Sequence, residues 1–113
     1  MLGVDVVGVE RLRTALERSP GLEARLFTEG ERAYCRSHRD RAASFAGTLA
    51  AKEAVIKALR LGPLVAWARR IEIERAASGE PRARISRSAN AQQEVEVSIS
   101  HDAGIAIAIA MRL

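Results

Sequence analysis

The chain carries one cysteine, two lysines, three prolines and four aromatic residues among 113. A lone cysteine, Cys35, cannot close an internal disulfide, which fits a reducing compartment, and its plain expectation is a small buried residue in a helix. The aromatics Phe27, Tyr34, Phe45 and Trp67 are scattered. They form no stacking platform, and zinc-finger spacing and a basic helix run are absent too, which disfavours nucleic acid as the partner. No uninterrupted apolar run is long enough to span a membrane. The start, Met1-Leu-Gly-Val-Asp5, lacks the basic and apolar segments of a secretory leader, so the expected address is the cytoplasm. Walker loop, dinucleotide glycine fingerprint and nucleophile elbow are missing as well.

What the chain has in quantity is arginine. Sixteen of its 18 basic residues are Arg, against 14 acids, for a net charge of +4. Arginine favours two-pronged contacts with carboxylates and phosphates, so an anionic cofactor or an acidic protein is the expected partner. A hydrophobic fraction of 48% in 113 residues predicts one ordered domain spanning 1–113.

Periodicity divides the chain in two. Val4–Val7 predicts a short strand, followed by a helix that carries Val9, Leu12 and Leu16 on one side and stops at Pro20-Gly21. Thr28-Glu-Gly-Glu31 is a capping-box pattern, predicting a short helix to about Ser37. Asp40 is placed to cap a long helix that Gly62-Pro63 stops. Beyond it the period falls from 3.6 to 2. Strands are expected around Ile71–Ile73, Ala83–Ile85, Val95–Ile99 and Ile105–Met111, with Ser86–Gln93 a polar connection and His101–Gly104 a hairpin. The last strand alternates Ile with Ala, so both of its faces are expected to be covered, the Ala face by the long helix. The fold class is α+β: a short N-terminal strand, helices including one long central helix, then an antiparallel meander packed on it.

Three polar groups stand where apolar ones are expected. On a helical wheel, Glu53 falls in a stripe of Ala42, Ala46, Leu49, Ala50 and Ile56, with Lys57 one turn on. A carboxylate there costs several kcal/mol, very roughly, unless a cation or hydrogen bonds compensate it. Asp5 lies inside the first strand, and His101 ends the Val95–Ile99 strand. Two carboxylates from separate elements suit Mg²⁺, which takes hard oxygen ligands and keeps several waters. Lys52 and Lys57 would neutralise phosphates, pointing to phosphoryl-group chemistry. Taken singly, each has a plainer reading: Asp5 as an edge-strand residue facing water, Glu53 with Lys57 as a surface i,i+4 pair, His101 as a turn residue. Ser100-His101-Asp102 is no hydrolase triad, because triad members converge from separated positions.

The segments GVDVVGVERL, FTEGERAYC, SFAGTLAAKEAVIKAL, GEP and VSISHDAGIAIAIA, in that order, resemble the holo-acyl-carrier-protein synthases, the short single-domain 4′-phosphopantetheinyl transferases. The K-E-A-x-x-K-A element followed by S-x-S-H-D is the specific part. The resemblance implies the corresponding fold and Mg²⁺-dependent transfer of the phosphopantetheine arm of coenzyme A to a serine of an apo acyl carrier protein, with adenosine 3′,5′-bisphosphate released. It implies Asp5 and Glu53 as metal ligands, with Mn²⁺ an alternative ion, and Glu53 and Lys57 as the catalytic pair. Lys52, Lys57, Arg60, Gly62 and His101 would hold coenzyme A, and Arg11, Arg13, Arg18 and Arg25 would meet the acidic carrier protein. The serine proton would pass to Glu53 or to a metal-activated water. A homotrimer with sites between subunits is also implied. Two positions depart from the family pattern: Gly8 stands where an acidic residue is frequent, and Arg60-Leu-Gly62-Pro63 replaces a G-x-G turn. They motivate an alternative, a non-catalytic relative acting as a carrier-binding or assembly module.

Overall fold

The structure, a computed structural model, describes residues 1–112. The chain runs β1 (Leu2–Gly8), α1 (Val9–Arg18), α2 (Leu22–Leu26), α3 (Glu29–Arg36), α4 (Arg41–Leu59), α5 (Leu64–Trp67), β2 (Ile71–Arg75), β3 (Pro81–Ser88), β4 (Ala91–Asp102) and β5 (Ile105–Met111). The strands form one sheet in the order β1-β5-β4-β3-β2, with every pairing antiparallel. The N-terminal strand thus joins the meander at its far edge, beside the C-terminal strand.

The expected α+β class holds, and its boundaries follow local chemistry. The Thr28–Glu31 capping box forms in both directions, and Asp40 accepts from Ala43 N at the start of α4. Arg60 closes α4 in a left-handed conformation before Pro63. The sheet side of α4 lies close to the strands because both surfaces are lined by small residues. A Cβ on Gly3 would fall 2.0 Å from the Ala54 carbonyl oxygen, so β1 can pack here only without a side chain. Ala106, Ala108 and Ala110 of β5 are buried beneath the same helix.

Several expectations change. The segment 86–93 is a hairpin rather than a polar connection: Ser86 pairs with Gln92 and Ile85 with Gln93, with a register shift between Ser86 and Ser88. Polar side chains at an exposed hairpin end do not prevent the backbone ladder from forming. Helices α2 and α5, five and four residues long, are too short for periodicity to reveal. Within this chain, among the described residues, the Ala face of β5 alone is covered. Ile105, Ile107 and Ile109 stand 45%, 40% and 46% exposed on the opposite side of the sheet.

Candidate functional site

Register places Asp5 opposite Ala108, on the sheet face that packs on α4. Its carboxylate accepts from Lys57 Nζ at 2.8 Å, and the same ammonium donates to the Val4 carbonyl at 3.1 Å. Lys57 therefore reaches across to β1 instead of back along its own helix to Glu53, and the surface i,i+4 pair does not form. Glu53 opens with Asp5 into a cleft of about 360 Å³ between β1, α1 and α4, whose walls include Gly8, Arg11, Leu12 and Leu49. Burial raises the proton affinity of the Glu53 carboxyl, the neighbouring Asp5 raises it further, and Lys57 opposes both. The Asp5 contact in turn holds Lys57 above the ordinary lysine range.

This arrangement can hold a cation. Two repelling carboxylates offer hard oxygen donors in an open cleft, which a divalent ion would relieve. Among the described residues no three His, Cys, Asp or Glu side chains converge. The donor set therefore fits Mg²⁺, which binds through one or two carboxylates and completes its shell with water and phosphate oxygens.

Lys52 is the clearest correction. Expected at coenzyme A phosphates, it is fully buried, with Nζ 2.6 Å from Glu31 Oε1 and donating to the carbonyls of Leu26 at 2.7 Å and Ala68. Three acceptors saturate its three donors, leaving none for a phosphate. Glu31 is matched as fully: it accepts from Lys52, Thr28 N and Ile73 N. Burial pushes the Glu31 carboxyl up and the Lys52 ammonium down, and their mutual contact opposes both shifts. The surrounding donors and acceptors favour the ionised pair. Glu31 was visible in the sequence only as the second half of a capping box.

His101 lies apart from the carboxylates of its own chain. Its Nε2 donates to the Ala43 carbonyl at 2.8 Å, and its ring covers Gly47, where a Cβ would meet Cε1 at 2.9 Å. Ala43 and Glu53 are about 15 Å apart along α4 at 1.5 Å per residue. Arg60 and Gly62 stand beyond the other end of α4. Glu10 does not replace the acid missing at Gly8, because it is 76% exposed and bonded to Arg13. The four expected docking arginines separate as well. Arg11 and Arg18 share an outer face of α1, Arg13 turns to Glu10 and Asp40, and Arg25 faces α5.

With this geometry in view, residues 1–110 match the family model described as ACPS, the 4′-phosphopantetheinyl transferase superfamily, and the chain belongs to that superfamily. Its relatives make the class narrower. The holo-[acyl-carrier-protein] synthase of Streptomyces avermitilis is 40% identical, covering 97% of this chain and 94% of its own length. That of Anaeromyxobacter sp. is 37% identical over 95% and 90%. The Helicobacter pylori synthase, solved in complex with coenzyme A, superposes with a TM-score of 0.81 at 31% identity, covering 97% of each chain. The Bacillus anthracis synthase, solved in complex with CoA (3′,5′-ADP), gives 0.78 at 28% identity, covering 96% of this chain and 91% of its own. The chain is a transferase of this holo-[acyl-carrier-protein] synthase group.

Proposed function

We propose that the chain moves the 4′-phosphopantetheine group of coenzyme A to a serine hydroxyl of an apo acyl carrier protein in a Mg²⁺-dependent reaction, for which Mn²⁺ can substitute, in the cytoplasm. The serine oxygen forms a bond to the phosphorus that carries pantetheine. The bond from that phosphorus to the bridging oxygen breaks, and adenosine 3′,5′-bisphosphate leaves. The observation that carries this reading is the convergence of Asp5 and Glu53 from two elements on one cleft, with Lys57 bonded to Asp5. Asp5 and Glu53 are the metal ligands. The ion, when bound, neutralises the pyrophosphate and stabilises the charge of the leaving phosphate. Lys57 orients Asp5 and faces the phosphates. The serine proton passes to Glu53 or to a metal-activated water.

The nucleotide end of coenzyme A falls to Arg60, Gly62 and His101. Because His101 is about 15 Å along α4 from Glu53 within one chain, a site containing both draws His101 from a neighbouring copy. The exposed apolar face of β1 and β5 supports such an assembly, and we take it to be a homotrimer. Arg11 and Arg18, flanking the cleft on α1, meet the acidic carrier protein and steer it in.

A second reading, a non-catalytic carrier-binding relative, is favoured by one observation: neither Gly8 nor Glu10 adds a third acid to the cleft. Intact mass spectrometry decides between the two. An apo acyl carrier protein incubated with this protein, coenzyme A and Mg²⁺ is expected to gain one phosphopantetheine, and EDTA is expected to abolish the gain. No gain across several carrier proteins, with the protein folded, would favour the non-catalytic relative.

A further inference from the structure

Helices α2 and α5 bury none of their residues completely. Their apolar side chains face each other across a groove of about 550 Å³ lined by Leu22, Leu26, Val65 and three arginines, Arg25, Arg69 and Arg70. It is larger and more enclosed than the Asp5–Glu53 cleft. Its spacing is fixed from beneath, because the buried Lys52 ammonium holds a carbonyl on each wall, Leu26 and Ala68. The groove is thus preformed, as small-molecule sites usually are, and its volume lies in their range. Val65 stands 87% exposed at its mouth.

The rim gives the ligand its charge. Among the described residues no acid lines the groove. Arg70 is already engaged, stacked 4.5 Å from the Trp67 ring centre and bonded to the Ser86 and Arg87 carbonyls. The side chains of Arg25 and Arg69 enter no ion pair among the described residues. A groove with Leu22 and Leu26 at its floor and two available guanidinium groups on its rim matches an alkyl chain with an anionic head.

We propose that the α2–α5 groove binds a single-chain fatty carboxylate, its tail against Leu22, Leu26 and Val65 and its head on Arg25 and Arg69. Nothing in this depends on the transfer reaction. Trp67, the single tryptophan, sits on α5 and reports occupancy by fluorescence, with calorimetry giving the stoichiometry. Dodecanoate, below its micelle concentration, is expected to bind saturably at one per chain. Octanoate should bind more weakly, and dodecyltrimethylammonium, with the same tail and the opposite head charge, should bind at least tenfold more weakly. Val65→Glu and Arg69→Glu alter exposed positions and should fold normally by circular dichroism. Each should weaken dodecanoate roughly tenfold or more, the scale of one charge-assisted contact, while leaving phosphopantetheine transfer near the wild-type rate.

Absence of saturable binding would overturn the proposal, as would equal binding of the cationic amphiphile or unchanged affinity in both variants. Displacement of dodecanoate by stoichiometric apo acyl carrier protein would also overturn it, by assigning the groove to carrier docking. Transfer measured in parallel keeps the two readings separate: active protein that binds no dodecanoate fails only here.

Discussion

Glu53 bears the unfavourable side of its cleft. Burial and the Asp5 charge both raise its proton affinity, and Lys57, bonded to Asp5, compensates only in part. The sign of the consequence follows from linkage: a carboxyl whose folded pKa is raised adds no penalty below the ordinary glutamate range. It destabilises the fold fully once the pH exceeds its raised value. Glu53→Gln removes that charge without changing the shape of the side chain. In metal-free protein at alkaline pH we expect the variant to melt a degree or two higher than wild type, roughly, by differential scanning calorimetry. Added Mg²⁺ should stabilise wild type and leave the variant unmoved, and transfer should be lost. A variant that is still stabilised by Mg²⁺ would remove Glu53 from the metal site. Lys52, the adjacent residue, was expected in the same chemistry and instead holds the interior together. Two neighbouring charges on a helix point about 100° apart, and which of them meets solvent is decided by elements elsewhere in the chain.

At the scale of elements, α4 explains why that decision was hard to read. It is enclosed by the sheet on one side and by α1, α3 and α5 on others, and residues around most of its circumference are buried. A wheel that assumes one buried face correctly set Glu53 beside small residues. It had no means of seeing a second buried face carrying Lys52, because that face exists only once Leu26, Glu31 and Ala68 arrive. What was legible was local: the Thr28–Glu31 capping box, the Asp40 cap, the Gly62-Pro63 stop and the period-2 strands. What was not legible needed partners distant in sequence, as with Lys52, or was too short to show a period, as with α2 and α5. Breaking the buried pair tests how much it holds. Lys52→Met leaves the Glu31 carboxylate, whose side chain has no exposure, with two backbone donors and no cation. The expected loss is about 3–5 kcal/mol, read from urea unfolding midpoints. Lys57→Ala, cutting a contact whose lysine is 55% exposed, should cost less than about 1 kcal/mol. Equal costs would show that the buried pair is not the stronger tie.

For the whole molecule the unanswered demand is the outer face of the sheet. Leu2, Val4 and Val6 of β1 lie beside Met111, Ile109 and Ile107 of β5, and every one of these residues is at least 40% exposed. A continuous apolar face of this kind is uncommon on a protein that works alone and marks an interaction surface. Sequence alternation located these side chains on one side of β5 and fits a subunit seam and a monomer core equally; among the described residues no further element covers them. The proposed site makes a second demand on the same assembly, since it draws His101, about 15 Å along α4 from Glu53 in its own chain, from a neighbouring copy. Ile107→Glu tests both together. Ile107 pairs with Val6 and Ser100 near the middle of the face, so a carboxylate there would be buried without a partner in the oligomer and solvated in the monomer. The expected variant is folded by circular dichroism, monomeric by light scattering and unable to transfer phosphopantetheine, whereas Ile107→Val should keep both assembly and activity. A monomeric Ile107→Glu protein working at the wild-type rate would mean that one chain holds a complete site and that no His101 from a neighbouring copy is needed.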